Sequence, residues 1–257
     1  MRWQRVLLKL SGEAFAQDAT QESPPDDNPR AGLNFGTISR IAREIAEAHS
    51  AGVQIAIVTG AGNIMRGERA AVAGMDRATA DYMGMLGTVI NSMALQDALE
   101  KQNVATRVMT AIAMAEVAEP FIRRRALRHL EKNRVVVFAG GTGNPFFTTD
   151  TAAALRAHEI HANVVLKATN VDGIYSGDPR KHPEATRYTN VSFEECIRKD
   201  LRVMDQTAFT FCREYGIPIV VFKIGAAGSI RRAAMGTEFG TLVDEFGGGD
   251  GDDSRAS

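Results

Sequence analysis

Two lysines close strands that are otherwise apolar, Lys9 in Val6-Leu7-Leu8-Lys9-Leu10 and Lys167 in Val164-Val165-Leu166-Lys167. An ammonium in a buried strand is costly unless an anion offsets it, so each should have an anionic partner. The bland alternative is that each side chain snorkels to solvent at its strand end. Glycine-rich turns follow three of the predicted strands: Ser11-Gly12, Gly60-Ala61-Gly62-Asn63 and Gly140-Gly141-Thr142-Gly143-Asn144. Glycine lets backbone N–H groups approach an anion closely, and a following helix N-terminus adds partial positive charge. One such turn alone reads as a structural connection. Three at the carboxyl ends of strands in one sheet suggest a polyphosphate cradle, because open α/β sheets bind ligands there. Phosphoryl transfer would fit such a pattern: it asks for positive groups on the moving phosphoryl, in-line positioning and usually Mg²⁺, and needs no protein nucleophile.

Other chemistries are disfavoured. No GxxxxGK[ST] occurs, and neither Gly60-x-Gly62 nor Gly141-x-Gly143 continues to a third glycine, which argues against a P-loop kinase and a dinucleotide enzyme. His158 and His161 lack the zinc-protease spacing and read as helix-face histidines. Cys196 and Cys212 are too few and too far apart for a disulfide framework or a metal knuckle and read as reduced core thiols. A net charge of -1 argues against a general nucleic-acid binder. No stretch approaches the roughly 20 apolar residues of a membrane helix. The run from Val6 to Leu10 is too short for a signal peptide and is interrupted by Lys9, so a cytoplasmic protein with no membrane partner is expected.

The elements that must position these groups read as strands over Arg5-Leu10, Gln54-Thr59, Ala105-Met109, Val135-Phe138, Val164-Lys167 and Ile219-Phe222. Helical patterns lie between them. One is capped by Thr37, with Ile38, Ile41, Ala42 and Ile45 on its apolar face and Gly52 past its end. Others run over Arg77-Lys101 and Phe121-Lys132, the latter basic on its exposed face; Ser192 with Glu195 makes a capping box, and Asp205 caps a helix ending near Gly216. This predicts one α/β domain over 1–243, with a mobile acidic insert at 16–31 and a disordered acidic tail at 244–257.

Six runs in order resemble the bacterial UMP kinases of the amino-acid-kinase superfamily, from about Arg5 to Val243: LLKLSGEA, GAGNIMRG, DYMGMLGTVIN, GTGNPFFTTD, VVLKATNVDGIYSGDP and VMDQTAF. The resemblance implies a three-layer αβα, carbamate-kinase-like fold around a mostly parallel sheet, and transfer of the γ-phosphoryl group of MgATP to UMP in pyrimidine nucleotide biosynthesis. It implies ATP binding by Lys9, Leu10, Ser11, Gly12, Gly62 and Arg66, with Thr169, Asn170, Tyr175 and Asp178 around the adenosine. UMP would lie against Ala61 and Asp81 and along Thr142, Gly143, Asn144, Pro145, Phe146, Phe147, Thr148 and Thr149. Lys9, Lys167 and Arg66 would act on the phosphoryl, with Asp205 orienting the lysines and Asp150 positioning metal or substrate; either aspartate could equally be a helix cap. Mg²⁺ would ride on the nucleotide phosphates without a protein cage.

Departures from the family pattern bear on regulation. Ala61 stands where glycine is usual and requires a negative φ. Many relatives are hexamers activated by GTP and inhibited by UTP. Gln96 and Glu100 stand where some have arginine and histidine, while Asp97 and Arg107 remain, which speaks against GTP activation and leaves UTP inhibition and a homohexamer as expectations. The rival readings are a carboxylate or carbamate kinase, against which GTGNPFFTTD and Asp81 speak, and a non-catalytic nucleotide- or oxyanion-binding protein, against which the retained Lys9, Arg66, Lys167 and Asp178 speak.

Overall fold

The computed structural model describes residues 2–16, 32–65, 72–177, 182, 184–237 and 239–247. Among them the β-branched runs form β1 (Arg5–Leu10), β2 (Gln54–Thr59), β3 (Thr106–Thr110), β4 (Glu119–Pro120), β5 (Val135–Ala139), β6 (Val164–Thr169), β7 (Asn190–Ser192), β8 (Ile219–Lys223) and β9 (Thr241–Asp244). They join in one sheet of order β4-β3-β5-β2-β1-β6-β8-β9-β7, parallel except for the β8–β9 pair. The helices are α1 (Phe35–Ser50), α2 (Arg77–Glu100), α3 (Arg123–Glu131), α4 (Thr149–Glu159), α5 (Phe193–Arg198), α6 (Gln206–Glu214) and α7 (Ser229–Met235).

Side chains alternate across a strand, so each strand feeds two cores. Val6, Leu8 and Leu10 of β1 join a cluster with Ile38, Ile41 and Ile45 of α1, Leu95 of α2 and Ile230 of α7. Leu7 joins the opposite cluster with Leu130 of α3, Ala152, Ala153 and Ala157 of α4, and Ala208 and Cys212 of α6. The result is the expected three-layer αβα fold with a mostly parallel sheet. The same alternation assigns Lys9 to the face of Leu7 and Lys167 to the face of Val165, both toward α4.

Several sequence expectations are corrected. The cap of α1 is Asn34, whose side chain accepts from the Thr37 amide at 2.9 Å; Thr37 is a buried first-turn residue, masked in the pattern because Phe35 points to solvent. α3 begins at Arg123 because the Phe121 amide instead bonds the carbonyl of Thr110, the last residue of β3. α4 was given no bounds in the sequence, and its cap is Thr148 with Asp150 in the first turn: its buried face is Ala152, Ala153, Ala154 and Ala157, and alanine favours helix while giving little hydrophobic contrast. β4, β7 and β9 were also missed, being two to four residues long. The tail was expected from 244, but Asp244 ends β9 and its carboxylate accepts from the amides of Phe246 and Gly247. The rest of the tail, and the insert from 17 to 31, lie outside the described residues. Cys196 and Cys212 are free and buried, and burial pushes each thiol up to about 12. No helix among the described residues is long and apolar enough to cross a membrane.

One buried carboxylate ties two helices together. Glu44 of α1 accepts from the Ile230 amide at 2.9 Å and from Ser229 Oγ at 3.4 Å, covering the start of α7, whose own cap residue, Gly228, has no side chain. Glu44→Ala is expected to destabilise the protein by about 1–3 kcal/mol, because it strands a buried donor. Urea unfolding should show a lower midpoint at unchanged slope; an unchanged midpoint would refute this capping role.

Candidate active site

Parallel pairing of β1 with β6 sets Lys9 directly opposite Lys167. Like charges in adjacent register repel, and here they do so with little water to screen them. Asp150, in the first turn of α4, resolves the conflict: its Oδ1 lies 2.9 Å from Lys9 Nζ and its Oδ2 2.7 Å from Lys167 Nζ. All three side chains are between 11% and 16% exposed. Burial alone would raise the Asp150 pKa, but the two ammoniums outweigh it and hold the carboxyl down at about 2. Burial lowers the Lys167 pKa, Asp150 opposes this, and Lys9 adds to it. The result is a cationic pair held by one counter-ion, with one positive charge in excess at the carboxyl ends of the central strands.

The glycine turns follow the carboxyl ends of β1, β2 and β5, which neighbour one another in the sheet. β1 runs into the Ser11-Gly12 turn and a 3-10 turn over Gly12–Phe15. A Cβ on Gly12 would meet the Gly62 amide nitrogen at 2.1 Å, and one on Gly60 would meet the Gly12 nitrogen at 2.8 Å. The first two turns therefore pack backbone against backbone, as only glycine permits. Ala61 is absent from the positive-φ residues, as its methyl group requires. In the third turn Gly140, Gly141 and Gly143 all have positive φ.

A buried polar stripe on α2 holds these turns, and the sequence reading missed it. Asn91 Nδ2 donates to the Gly60 carbonyl at 2.7 Å and pairs with the Asn63 amide. Thr88 Oγ1 accepts from the Gly140 amide at 2.7 Å, while Thr59 Oγ1 donates to the Thr88 carbonyl and bonds Ser92. Polar residues at 88, 91 and 92 share one helical face with apolar Leu95 and Leu99, and that spacing was the available signal.

The loop from Thr142 to Thr149 crosses to the start of α2. Asp81 Oδ2 accepts from the Phe146 amide at 2.8 Å, and its carboxylate also holds Arg77 Nε at 2.9 Å. Phe146 adopts φ 71°, and its ring and that of Phe147 are 68% and 52% exposed, so neither is a core residue. Such exposed rings beside a polar loop leave apolar surface for a ligand to cover. Thr148 caps α4, accepting from the amides of Asp150 and Thr151.

Asp205 fills the cap role that the sequence allowed it. Its carboxylate does not contact either lysine; it caps α6 through the Ala208 amide at 2.9 Å and accepts from the hydroxyls of Thr148 and Thr151. It thus fixes the N-terminus of α4, and through it Asp150, which is the residue that orients the lysines.

Of the remaining predicted residues, Leu10 and Thr169 end the adjacent strands β1 and β6, and Asn170 follows at once. Tyr175 pairs across a bridge with Arg187 and donates its hydroxyl to Asp172 at 2.7 Å. Pro145 and Asn144 lie in the third-turn loop, where the Asn144 amide donates to Thr142 Oγ1 at 3.2 Å. Arg66 and Asp178 lie outside the described residues. The structure thus gathers the Lys9, Lys167, Asp150, Gly12 and Gly62 group at one end of the central strands and the Asp81 and Phe146 group beside it.

Residues 4–223 match the model of the amino acid kinase family. The chain is similar to a solved UMP kinase from Bacillus anthracis, with 38% identity over 96% of this chain and 98% of that one, at a TM-score of 0.88. It is similar to a UMP kinase from Ureaplasma parvum at 35% identity over 95% and 100%, with a TM-score of 0.85. A uridylate kinase from Archaeoglobus fulgidus matches at 27% identity over 93% and 99%, with a TM-score of 0.69.

Proposed function

The chain belongs to the amino acid kinase family, and from that premise we propose that it is a UMP kinase, transferring the γ-phosphoryl group of ATP to UMP. The observation that carries the reading at the level of chemistry is the Lys9–Asp150–Lys167 group at the mouth of three glycine turns. A phosphate oxygen of UMP attacks the γ-phosphorus in line; the new P–O bond forms as the bond to the β-phosphate oxygen breaks, and ADP leaves with the electron pair. The attacking phosphate is already anionic at neutral pH, so no general base is needed. Lys9 and Lys167 face the charge on the equatorial and leaving oxygens. The Ser11-Gly12 and Gly60-to-Gly62 turns offer backbone N–H groups to the ATP phosphates, with Thr169, Asn170 and Tyr175 toward the adenosine side. The Asp81, Thr142-to-Thr149 and Phe146 side takes UMP, the loop amides reading the uracil edge.

Mg²⁺ fits this donor set as part of MgATP. Both Asp150 oxygens face ammoniums and Asp205 is taken by hydroxyls and an amide, so the ion would be held mainly by the nucleotide phosphates and would supply charge neutralisation there. The product, UDP, would feed pyrimidine nucleotide supply in the cytoplasm. UTP, presenting the same uracil edge, would inhibit from the UMP pocket. Arg107 has Glu100 at 3.9 Å and Glu119 at 3.6 Å, which argues against a triphosphate such as GTP docking on it.

The decisive experiment is ADP release from MgATP with UMP, CMP, dUMP and AMP in parallel. Strong turnover on UMP over the others is expected; measurable nucleotide binding with no turnover on any of the four would overturn the kinase reading.

A homohexamer is the assembly we favour. Tyr82, Leu86, Ile90 and Met93 form an exposed apolar stripe along α2, which supports self-association. Sedimentation velocity should show a hexamer that Leu86→Glu with Ile90→Glu shifts to smaller species; a monomeric unmodified chain would refute the assembly.

A further inference from the structure

Two of the three glycine turns are held from one helix, each by a different side chain. Thr88 and Asn91 of α2 are 2% and 0% exposed and, three residues apart, are neighbours on one face of that helix. Asn91 reaches the turn after β2. Its Nδ2 donates to the Gly60 carbonyl at 2.7 Å and to Asn63 Oδ1 at 2.8 Å, while its Oδ1 accepts from Asn63 Nδ2 at 3.1 Å. The Gly60 amide in turn donates to the Leu10 carbonyl at 2.8 Å, and the backbones of Gly60 and Gly62 lie against Gly12. Asn91 thereby holds the two turns assigned above to the ATP phosphates.

Thr88 reaches the turn after β5. Its hydroxyl proton goes to the Met85 carbonyl at 2.6 Å, so the oxygen is left to accept, and it takes the Gly140 amide at 2.7 Å. The Gly140 carbonyl then accepts from the Gly143 amide at 2.9 Å, which shapes the start of the loop assigned to UMP. Ala61, also on the UMP side, is held separately: a Cβ on Gly87 of α2 would approach its methyl group to 2.9 Å.

Polar side chains are not needed to bury this face, since Leu95 and Leu99 continue it as fully buried apolar residues. A buried polar group costs free energy unless it is paired, and a fully paired network fixes a single geometry. The helix rise of about 1.5 Å per residue then fixes how far apart the two attachment points stand.

We infer that Thr88 and Asn91 are positioning residues for different substrates, Thr88 for UMP and Asn91 for ATP, with α2 as the rigid element that sets one turn relative to the other for in-line transfer. The inference rests on the UMP kinase reading above. Both residues act through turn backbone and not on the reacting atoms.

Steady-state KM for each substrate, measured on the full-length wild type and on Thr88→Val, Thr88→Ser and Asn91→Ala, separates the two roles. Thr88→Val keeps the shape and strands the Gly140 amide, so KM for UMP is expected to rise about tenfold with KM for ATP within about twofold. Thr88→Ser keeps the hydroxyl and should hold KM for UMP within about threefold of wild type. Asn91→Ala should do the reverse of Thr88→Val, raising KM for ATP about tenfold and KM for UMP about twofold or less. Circular dichroism checks that each variant is folded, with Asn91→Ser in place of an alanine variant that is not. Calorimetric titration with each nucleotide alone reads the same split as Kd, without turnover. Equal changes for both substrates, or no change for either, in folded variants would reduce the pair to a structural role and overturn the inference. A wild type that binds both nucleotides without turnover would overturn the kinase reading, and the split in Kd would still decide between the two roles.

Discussion

Lys9→Ala is expected to lower kcat for phosphoryl transfer to UMP by about 10²–10³-fold while leaving KM for UMP within a few-fold. Charge stabilisation placed where the transition state gathers negative charge is worth that much per donor in a water-poor site. An interaction formed mainly in the transition state shows in kcat more than in KM. The fold should survive, because Asp150 keeps Lys167 at 2.7 Å after Lys9 is lost, and the β1 backbone remains paired on both sides. Lys9→Arg is not expected to restore activity, since the planar guanidinium is larger than the ammonium it would replace beside Lys167. Steady-state kinetics on the three proteins, with circular dichroism as the folding control, decides the matter. A loss of less than tenfold in a folded Lys9→Ala protein would remove Lys9 from the catalytic group.

The second large effect belongs to Asp150→Asn, and it should appear in stability and in rate together. The substitution keeps the shape and withdraws the charge that two mostly buried ammoniums share. Removing one partner of a buried ion pair costs about 3–5 kcal/mol, and the neutral amide and residual exposure should reduce this to about 2–4 kcal/mol. The pH dependence gives the effect a signature. The Asp150 carboxyl titrates at about 2 in the folded protein against an ordinary 3.8. Its pairing therefore stabilises the fold fully above pH 3.8, and the benefit, about 2 kcal/mol, is lost as the pH falls through about 2. Wild type and Asp150→Asn should differ most above pH 4 and converge toward pH 2 in chemical denaturation. A gap independent of pH would show that Asp150 acts by shape alone. Activity should fall as well, because the two lysines then repel each other away from the γ-phosphate.

How far the site was legible follows from the range of the forces involved. Lys9 and Lys167 stood out because a charge at the end of an apolar strand breaks a local pattern, and the need for an anionic partner follows from desolvation alone. The glycine turns stood out because each follows a strand directly. Asp205 was recognisable as a cap, since capping is set within four residues. It bears on the lysines only indirectly, through its charge near Lys167 and through the start of α4, because its carboxylate is already taken up locally. Direct contact falls to Asp150 on α4, a helix whose alanine face carries almost no periodic contrast. Thr88, Asn91 and Ser92 were passed over because a buried polar stripe is visible only once the helix is known to face the turns.

The sequence by itself determined the layered α/β architecture, the six central strands and the glycine turns that follow three of them. These rest on two-residue and near-four-residue periodicities and on backbone sterics, all local quantities. Tertiary structure alone decided that Lys9 and Lys167 sit in register, that Asp150 rather than Asp205 lies between them, and that Asp81 holds the Phe146 loop. Each of those depends on strand pairing or helix docking between segments 17 to 158 residues apart, Asp150 with Lys167 at the near end and Lys9 with Lys167 at the far end. Such contacts are set by the packing of the whole core, and no local pattern records them.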